Sequence, residues 1–146
     1  MGEKVKAICH AALQIAALAH DIERGILPRF MDKDFESHEE YKRAHSEKGA
    51  KILENILKKY AIDKKVIIEV TNLVRLHEVG GNTEANILRD ADSISFFDNN
   101  LDFYIGYKGM AGAIKQVKYK FERCSPRAQK YIESLEKYQK FCKQIS

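Results

Sequence analysis

The 146-residue sequence predicts an all-α fold. Two prolines and eight glycines are too few for the frequent turns of an all-β domain. Apolar residues instead recur every three or four positions along most of the chain, which is the helical period. Residues that typically cap helices stand in front of several of these segments. We therefore expect a bundle of about six helices forming a single domain over residues 1–146, a usual domain size.

The first half of the chain predicts three helices. The first runs from about Gly2 to Ile22 and is followed by a long loop. Ser37, with Glu40 three residues later, predicts a capping box at the start of a second, long helix. Asp63 is the expected N-cap of a third helix, which ends at Gly80-Gly81 because glycine commonly terminates helices.

The second half predicts further helices separated by less regular segments. Thr83 is the expected cap of a fourth helix through Phe97, followed by a break at the two asparagines 99 and 100. The periodicity of residues 101–112 predicts no definite structure. A helix is expected from about Ala113 to Arg123, and Ser125-Pro126 predicts the start of the last helix.

The C-terminal part of the chain, including the helices of residues 113–146, carries an excess of positive charge. Residues 101–146 hold 10 Lys/Arg and 4 Asp/Glu, a net charge of 10 minus 4, or +6, although the whole chain carries only +4. Basic side chains interleaved with aromatic ones could bind nucleic acid. The same pattern is explained by helices that pack through an apolar face and expose their basic side chains to solvent on the opposite face. We favour this second interpretation. Its expected apolar members are Tyr131, Ile132, Leu135 and Tyr138.

Composition also limits the cellular setting. The longest apolar run, Ala11–Ala19, is interrupted by Gln14 and is shorter than the roughly 20 residues of a membrane helix. The N-terminal segment lacks the order of a secretory signal, so we expect a cytoplasmic protein without a membrane partner. The three cysteines have no metal-finger spacing and are expected to be ordinary thiols.

Polar residues interrupt the apolar helix faces at places where metal ligands could gather. His20-Asp21 follows the first predicted helix, His45 lies on the inward face of the second, and His77 continues the apolar stripe of the third. A solvent-exposed pair or a hydrogen-bonded core histidine explains each one better when it is taken alone. Together they favour a metal site.

The fourth predicted helix carries two aspartates on different sides. Asp92 shares its side with Leu88 and Phe96 and is expected to point inward, whereas Asp90 is expected to point outward. An inward carboxylate requires a cation or several hydrogen-bond donors, because a lone buried charge is very unfavourable. A metal ion would supply that partner.

Four short segments follow one another in a familiar order. They are His20-Asp21, Ala44-His45-Ser46-Glu47-Lys48-Gly49-Ala50, Leu76-His77-Glu78 and Ala91-Asp92-Ser93-Ile94. Over about residues 10–98 this order resembles the HD-domain superfamily of metal-dependent phosphohydrolases. The resemblance implies an HD-domain-like helical bundle that holds one or two divalent ions, drawn from Mn, Co, Ni, Mg, Fe and Zn.

The resemblance also implies roles for individual residues. It makes His20, Asp21 and Asp92 metal ligands, with Asp21 as the bridging and catalytically central carboxylate. His45 and His77 would complete a second metal position or contact phosphate.

Three more residues near these ligands would take part in catalysis. Glu23 would transfer protons, while Arg24 and Lys48 would contact phosphate, as could Arg29 and Arg75. For each of these cations a solvated surface charge is the simpler alternative. The expected function is hydrolysis of a small phosphate ester, with nucleotides the favoured class. The alternative is a catalytically silent relative that binds metal or nucleotide in a regulatory or oligomeric role, so homo-oligomers are left open.

One element of the family pattern has no match in the sequence. The pattern begins with another histidine on an earlier helix, and His10 is the only upstream candidate. Ten residues of helix separate His10 from His20 by about 15 Å, too far for a shared ion. Either the chain begins inside the usual domain, or this member lacks one ligand.

Overall fold

A computed structural model describes residues 2–146, except the side chains of residues 2, 4 and 5. These residues are helical and contain no strand, which confirms the predicted all-α class. Seven α-helices are formed: α1 (Gly2–Ala19), α2 (His38–Lys59), α3 (Lys64–Leu76), α4 (Thr83–Ser95), α5 (Leu101–Glu122), α6 (Pro126–Ser134) and α7 (Glu136–Ile145). Short 3-10 turns cover Ile22–Gly25 and Asp32–Asp34, and a π-helical turn covers Phe96–Asn100.

The chain divides into two compact units, one reaching Leu88 and the other running from Arg89 to Ser146. In the first unit α1 and α2 both pack against α3. Small residues make the close approach of these helices feasible, since Ala12, Ala16 and Ala50 are fully buried. The rest of this core is aliphatic and comprises Leu53, Leu57, Ile67, Val70, Leu73, Val74, Ala85 and Leu88.

The second unit has a separate and more aromatic core. Its buried members are Phe96, Phe97, Leu101, Ala113, Val117, Cys124, Ala128, Ile132 and Phe141. Helix α5 is kinked at Gly109, whose φ of +71° lies in the left-handed region that glycine adopts without steric cost. Phe103 and Tyr107, on the N-terminal side of this kink, are 75% and 65% exposed.

The predicted helix starts are largely confirmed by side-chain caps. Ser37, Asp63 and Ser125 each accept a hydrogen bond from a backbone N–H in the first turn of α2, α3 and α6. The predicted cap at Thr83 is wrong, because the carboxamide oxygen of Asn82 accepts from the Ala85 N–H at 2.8 Å.

Several predicted helix ends are also wrong. The first helix ends at Ala19, and a 3-10 turn replaces its expected last residues. The chain stays helical through the two asparagines, where the Asn99 amide donates to the Ser95 carbonyl at 3.3 Å. The expected last helix is two helices, since Leu135 has extended backbone with ψ of 128°. Tyr131, expected on a packing face, is 54% exposed.

Two further expectations about the whole chain can be compared with the described residues. None of their helices is both long and apolar enough to cross a membrane. All three cysteines are free thiols, as predicted, and Cys124 is buried in the second core.

Candidate metal centre

Helices α1 and α3 end in the same way. Each is followed by a histidine and then an acidic residue: His20-Asp21 after α1 and His77-Glu78 after α3. The Nδ1 atom of His20 lies 3.1 Å from the Ala17 carbonyl oxygen. The Nδ1 atom of His77 lies 2.7 Å from the Val74 carbonyl oxygen. Both imidazoles therefore bind the carbonyl three residues earlier, one of the acceptors that a helix end leaves without an intrahelical donor.

These two contacts fix the tautomers of both rings. A carbonyl oxygen only accepts hydrogen bonds, so Nδ1 carries the hydrogen in His20 and in His77. Nε2 is then the nitrogen with the lone pair in each ring, as a metal ligand requires. Because α1 packs against α3, the two rings come together with their centroids 4.9 Å apart.

Asp21 completes a group that could hold a metal ion. One ligand atom from each of His20, Asp21 and His77 lies within 4.8 Å of the other two. An ion binds nitrogen or carboxylate oxygen at about 2.0–2.2 Å, so two ligands of one ion are at most about 4.4 Å apart. A contraction of about half an ångström would satisfy this limit. The donor set of two neutral imidazoles and one carboxylate suits a divalent transition metal.

His77 also belongs to a second group with His45 and Glu78, all three of them buried. Here the Glu78 carboxylate already accepts a hydrogen bond from the Lys42 ammonium, at 2.7 Å. The Glu78 oxygen bound to that ammonium, Oε1, is also the one that faces His77 Nε2, at 3.5 Å, so an ion there would meet a like charge. In the first group Arg24 and His45 bind Asp21 Oδ1, whereas Oδ2 is the oxygen that faces His20 Nε2. The first group is therefore the better ion site. Glu78 was not among the predicted ligands, although it repeats the His-acid pair that made His20-Asp21 a candidate.

His45 lies between two carboxylates instead of facing open solvent. Its Nδ1 atom is 2.7 Å from Glu23 Oε2, and its Nε2 atom is 2.9 Å from Asp21 Oδ1. Since ionised carboxylates only accept, the ring donates a hydrogen bond from each nitrogen in this arrangement. Gly49, one turn later in α2, faces the end of α1, where a Cβ would lie in ordinary van der Waals contact with the His20 carbonyl oxygen, at 3.4 Å.

Glu23, predicted as a proton-transfer group, is fully buried. Its Oε1 atom accepts from the Phe30 N–H at 3.2 Å and lies 3.4 Å from the Lys48 ammonium. Burial alone would raise the pKa of Glu23, but the hydrogen bonds from His45 and Phe30 outweigh it and hold the pKa below the usual range. Glu23 is thus a buried carboxylate in its charged form.

Asp21 is held in the charged form by similar contacts. Burial opposes its ionisation, but the hydrogen bond from His45 and the charge of Arg24 keep the pKa of Asp21 far below its usual range. The Arg24 Nε atom lies 3.1 Å from Asp21 Oδ1, and the same guanidinium donates to the Tyr41 hydroxyl at 3.0 Å. The negative charge that a cation requires is therefore present.

Three of the four cations predicted to contact phosphate have partners within the first unit. Arg24 binds Asp21 and Tyr41, as described above. Lys48 lies 2.5 Å from the Pro28 carbonyl oxygen and stacks over the Phe30 ring. Arg75 binds Glu47 through two nitrogens, at 2.8 and 3.3 Å. Arg29 has an exposed side chain.

Asp92, the fifth predicted ligand, belongs to the second unit. Its carboxylate accepts hydrogen bonds from Lys120 and Arg123 of that unit, so two cationic side chains lie where the sequence argument invoked a metal. They come from α5 and its C-cap, which helical spacing around Asp92 could not reveal. The metal role that the resemblance gives Asp92 stays a prediction.

The predicted outward orientation of Asp90 is wrong. The Asp90 and Asp92 side chains are 17% and 16% exposed, so both are largely buried. Asp90 accepts hydrogen bonds from the backbone and the hydroxyl of Ser125, the N-cap of α6. The prediction assumed that one side of helix α4 faces solvent, but the sides that carry Asp90 and Asp92 are both covered by protein.

The chain belongs to the DUF4202 family, described as a domain of unknown function, which matches residues 1–145. Neither the curated proteins nor the solved structures include a significant match.

Proposed function

We propose that this chain is a metal-dependent phosphohydrolase of the HD type that acts on a small phosphate ester, with nucleotides the favoured class. One observation carries the proposal: two imidazoles with fixed tautomers and the ionised Asp21 converge within 4.8 Å. The order of the His-Asp, His, His and Asp segments along the chain supports the HD assignment. Carboxylates with perturbed pKa values, such as those of Asp21 and Glu23, are frequent at functional sites.

His20, Asp21 and His77 would hold the ion. A divalent ion bound there would supply Lewis acidity, which polarises the phosphoryl group and neutralises its oxygens. The chain's own residues have complementary tasks. Backbone carbonyls keep both imidazoles in the ligating tautomer, and His45 and Arg24 keep Asp21 ionised.

The alternative, a catalytically silent relative, is favoured by a specific observation. A phosphohydrolase needs cations to bind the substrate's phosphate, and three of the four predicted ones are engaged elsewhere. Lys48 binds a backbone carbonyl and Arg75 binds Glu47. Arg24 binds the ligand Asp21 itself. A protein with these contacts could retain metal without turning over phosphate esters.

A screen of phosphate esters separates the two functions. Purified protein would be assayed with mononucleotides and simple monoesters in the presence of Mn²⁺, Co²⁺, Ni²⁺ or Mg²⁺. Metal-dependent release of phosphate, lost in Asp21→Ala, is the expected result. If folded protein hydrolyses no ester with any of these ions but still binds one, the silent alternative replaces the enzyme.

Metal content supplies a second test. With three protein ligands and no match for the family's first histidine, we expect partial or empty occupancy after extensive dialysis, restored by millimolar divalent ion. Elemental analysis measures the stoichiometry. Full occupancy by a tightly held ion would mean that another residue completes the site.

A further inference from the structure

Four side chains of the first unit form a line that ends at the candidate metal centre. The Lys48 ammonium lies 3.4 Å from Glu23, Glu23 binds one nitrogen of His45 at 2.7 Å, and the other nitrogen binds Asp21 at 2.9 Å. Glu23 and His45 are both fully buried. These hydrogen bonds therefore connect the buried Glu23, through His45, to one oxygen of Asp21.

The surroundings of Glu23 do not suit a group that exchanges protons with a substrate. Such a group must reach the reacting atom directly or through one water. Glu23 has no exposed surface, and both of its oxygens are occupied: Oε1 by the Phe30 N–H and Lys48, Oε2 by His45. The site's chemistry can depend on this carboxylate only through His45.

The His45 ring in turn determines how Asp21 is oriented. Asp21 Oδ1 accepts hydrogen bonds from the Nε2 atom of His45, at 2.9 Å, and from the Nε atom of Arg24, at 3.1 Å. The other oxygen, Oδ2, lies 3.8 Å from His20 Nε2. A carboxylate fixed through one oxygen presents the second in a defined direction. The two hydrogen bonds thus turn Oδ2 toward the imidazole with which it would share an ion.

We propose that Glu23 and His45 are positioning residues, which hold Asp21 for metal binding without ligating the ion or touching substrate. This inference rests on the proposed function, because it assigns the ion to His20, Asp21 and His77. It replaces the proton-transfer role of Glu23. It also separates His45 from His77, although the two rings lie 5.7 Å apart and the resemblance treats them alike.

Mn²⁺ binding, measured by calorimetry at one pH, tests the inference through matched substitutions. Glu23→Ala removes the acceptor for Nδ1, and we expect a 10 to 100-fold weaker affinity, roughly the loss caused by removing an outer-shell partner. Glu23→Gln should recover most of it, since an amide oxygen still accepts from Nδ1. Glu47→Gln, which changes a more exposed glutamate bound to Arg75, is the control and should leave the affinity unchanged.

Histidine variants decide whether His45 is a ligand. The amide of His45→Gln can still donate to Asp21, so this variant should lose no more affinity than Glu23→Ala does. His77→Gln removes a ligand and should lose considerably more. Equal losses in His45→Gln and His77→Gln would make His45 a ligand and overturn the inference. An unchanged affinity in Glu23→Ala would overturn it as well.

Side-chain NMR of ¹⁵N-histidine-labelled, metal-free protein separates this inference from the proposed function. The wild type should show protected N–H signals from both nitrogens of His45, and Glu23→Ala should lose the Nδ1–H signal. Absence of both signals in folded wild type would overturn the positioning role. If the signals are present but the wild type binds no Mn²⁺, the proposed function fails while the hold on Asp21 stands as a structural feature.

Discussion

The two units surround their carboxylates with different side chains. In the first unit, Asp21 and Glu23 share the imidazole of His45, and Arg24 also binds Asp21. In the second unit, the Asp92 carboxylate binds Lys120 and Arg123. Asp21 also lies 3.8 Å from Nε2 of His20, a nitrogen that can ligate a metal ion, whereas lysine and arginine side chains offer only donors. The first arrangement suits binding of a metal ion, and the second suits a permanent structural contact.

This difference makes opposite predictions for the two aspartates. Asp21 follows α1, Asp92 lies within α4, and each carboxylate binds at least one cationic side chain. Removing Asp21 should chiefly change what the protein binds. Removing Asp92 should chiefly change how stable the protein is.

Asp21→Ala tests the first half of the comparison and should have the largest effect. A ligand carboxylate contributes a whole coordinate bond, so we expect Mn²⁺ affinity to fall by more than about 100-fold and any phosphohydrolase activity to disappear. Asp32→Ala is the matched control, because Asp32 also pairs with a histidine, His38 at 2.8 Å, but at an exposed position. Metal content after dialysis against chelator and reloading provides the measurement. Retention of metal by Asp21→Ala would refute the ligand assignment.

Asp92→Ala tests the second half through stability. The carboxylate is 16% exposed and its two cationic partners 8% each, so breaking these contacts should lower the free energy of unfolding by about 3–5 kcal/mol. Urea denaturation of both proteins in the presence of chelator measures this difference in the free energy of unfolding. Asp102→Ala is the control in the same unit, since Asp102 is 73% exposed and 3.7 Å from Lys137. That exposed pair should contribute less than about 1 kcal/mol.

Metal binding by the Asp92 variant carries separate information. Under the HD resemblance Asp92→Ala also loses metal, whereas Asp90→Ala keeps it. A stable, metal-binding Asp92→Ala protein would remove Asp92 both from the ligand set and from the structural contact described above.

The sequence predicts those parts of the fold that depend on local signals. Caps such as Ser37, Asp63 and Ser125 act within one turn, so their residue type and position suffice. The boundary at Leu135 has no such signal, because neither glycine nor proline stands there. The kink at Gly109 lies in a glycine-rich segment for which the periodicity predicted no definite structure.

The candidate site was predictable to a similar degree. The histidines and Asp21 could be proposed from their order along the chain, and the structure brings His20, Asp21 and His77 together. The contacts that decide their roles come from residues far away in sequence. Glu23 meets His45 across 22 positions, and Lys120 meets Asp92 across 28. Helical spacing reports only neighbours within one element, so these partners could not be predicted.

The acid stability of the metal-free protein would sharpen the account of the first unit. The pKa of Glu23 is lower in the folded protein than in the unfolded chain. Ionised Glu23 therefore contributes fully to the free energy of unfolding above about pH 4.3, and this contribution is lost as pH falls through the pKa of the folded state. In chelator, Glu23→Gln should therefore lose less stability than wild type as pH falls from about 4.3. Denaturation series between neutral and acidic pH measure the slope. Identical slopes would contradict the assignment of a charged Glu23.

Ser46→Ala should have the smallest effect, in the opposite direction. Ser46 lies next to His45 in α2, is 3% exposed, and its hydroxyl oxygen has no hydrogen-bond partner within the described part of the chain. Replacing it with alanine removes a buried polar group and gains helix propensity, so we expect a stabilisation of about 1 kcal/mol. For a chain of this size that corresponds to a rise in melting temperature of about 2–4 °C. Differential scanning calorimetry in chelator, with Mn²⁺ affinity measured alongside, tests both consequences. Ser46 takes no part in the hydrogen bonds that hold Asp21, so Ser46→Ala should leave the Mn²⁺ affinity unchanged. A tenfold loss of Mn²⁺ affinity would show that the hydroxyl takes part in the site.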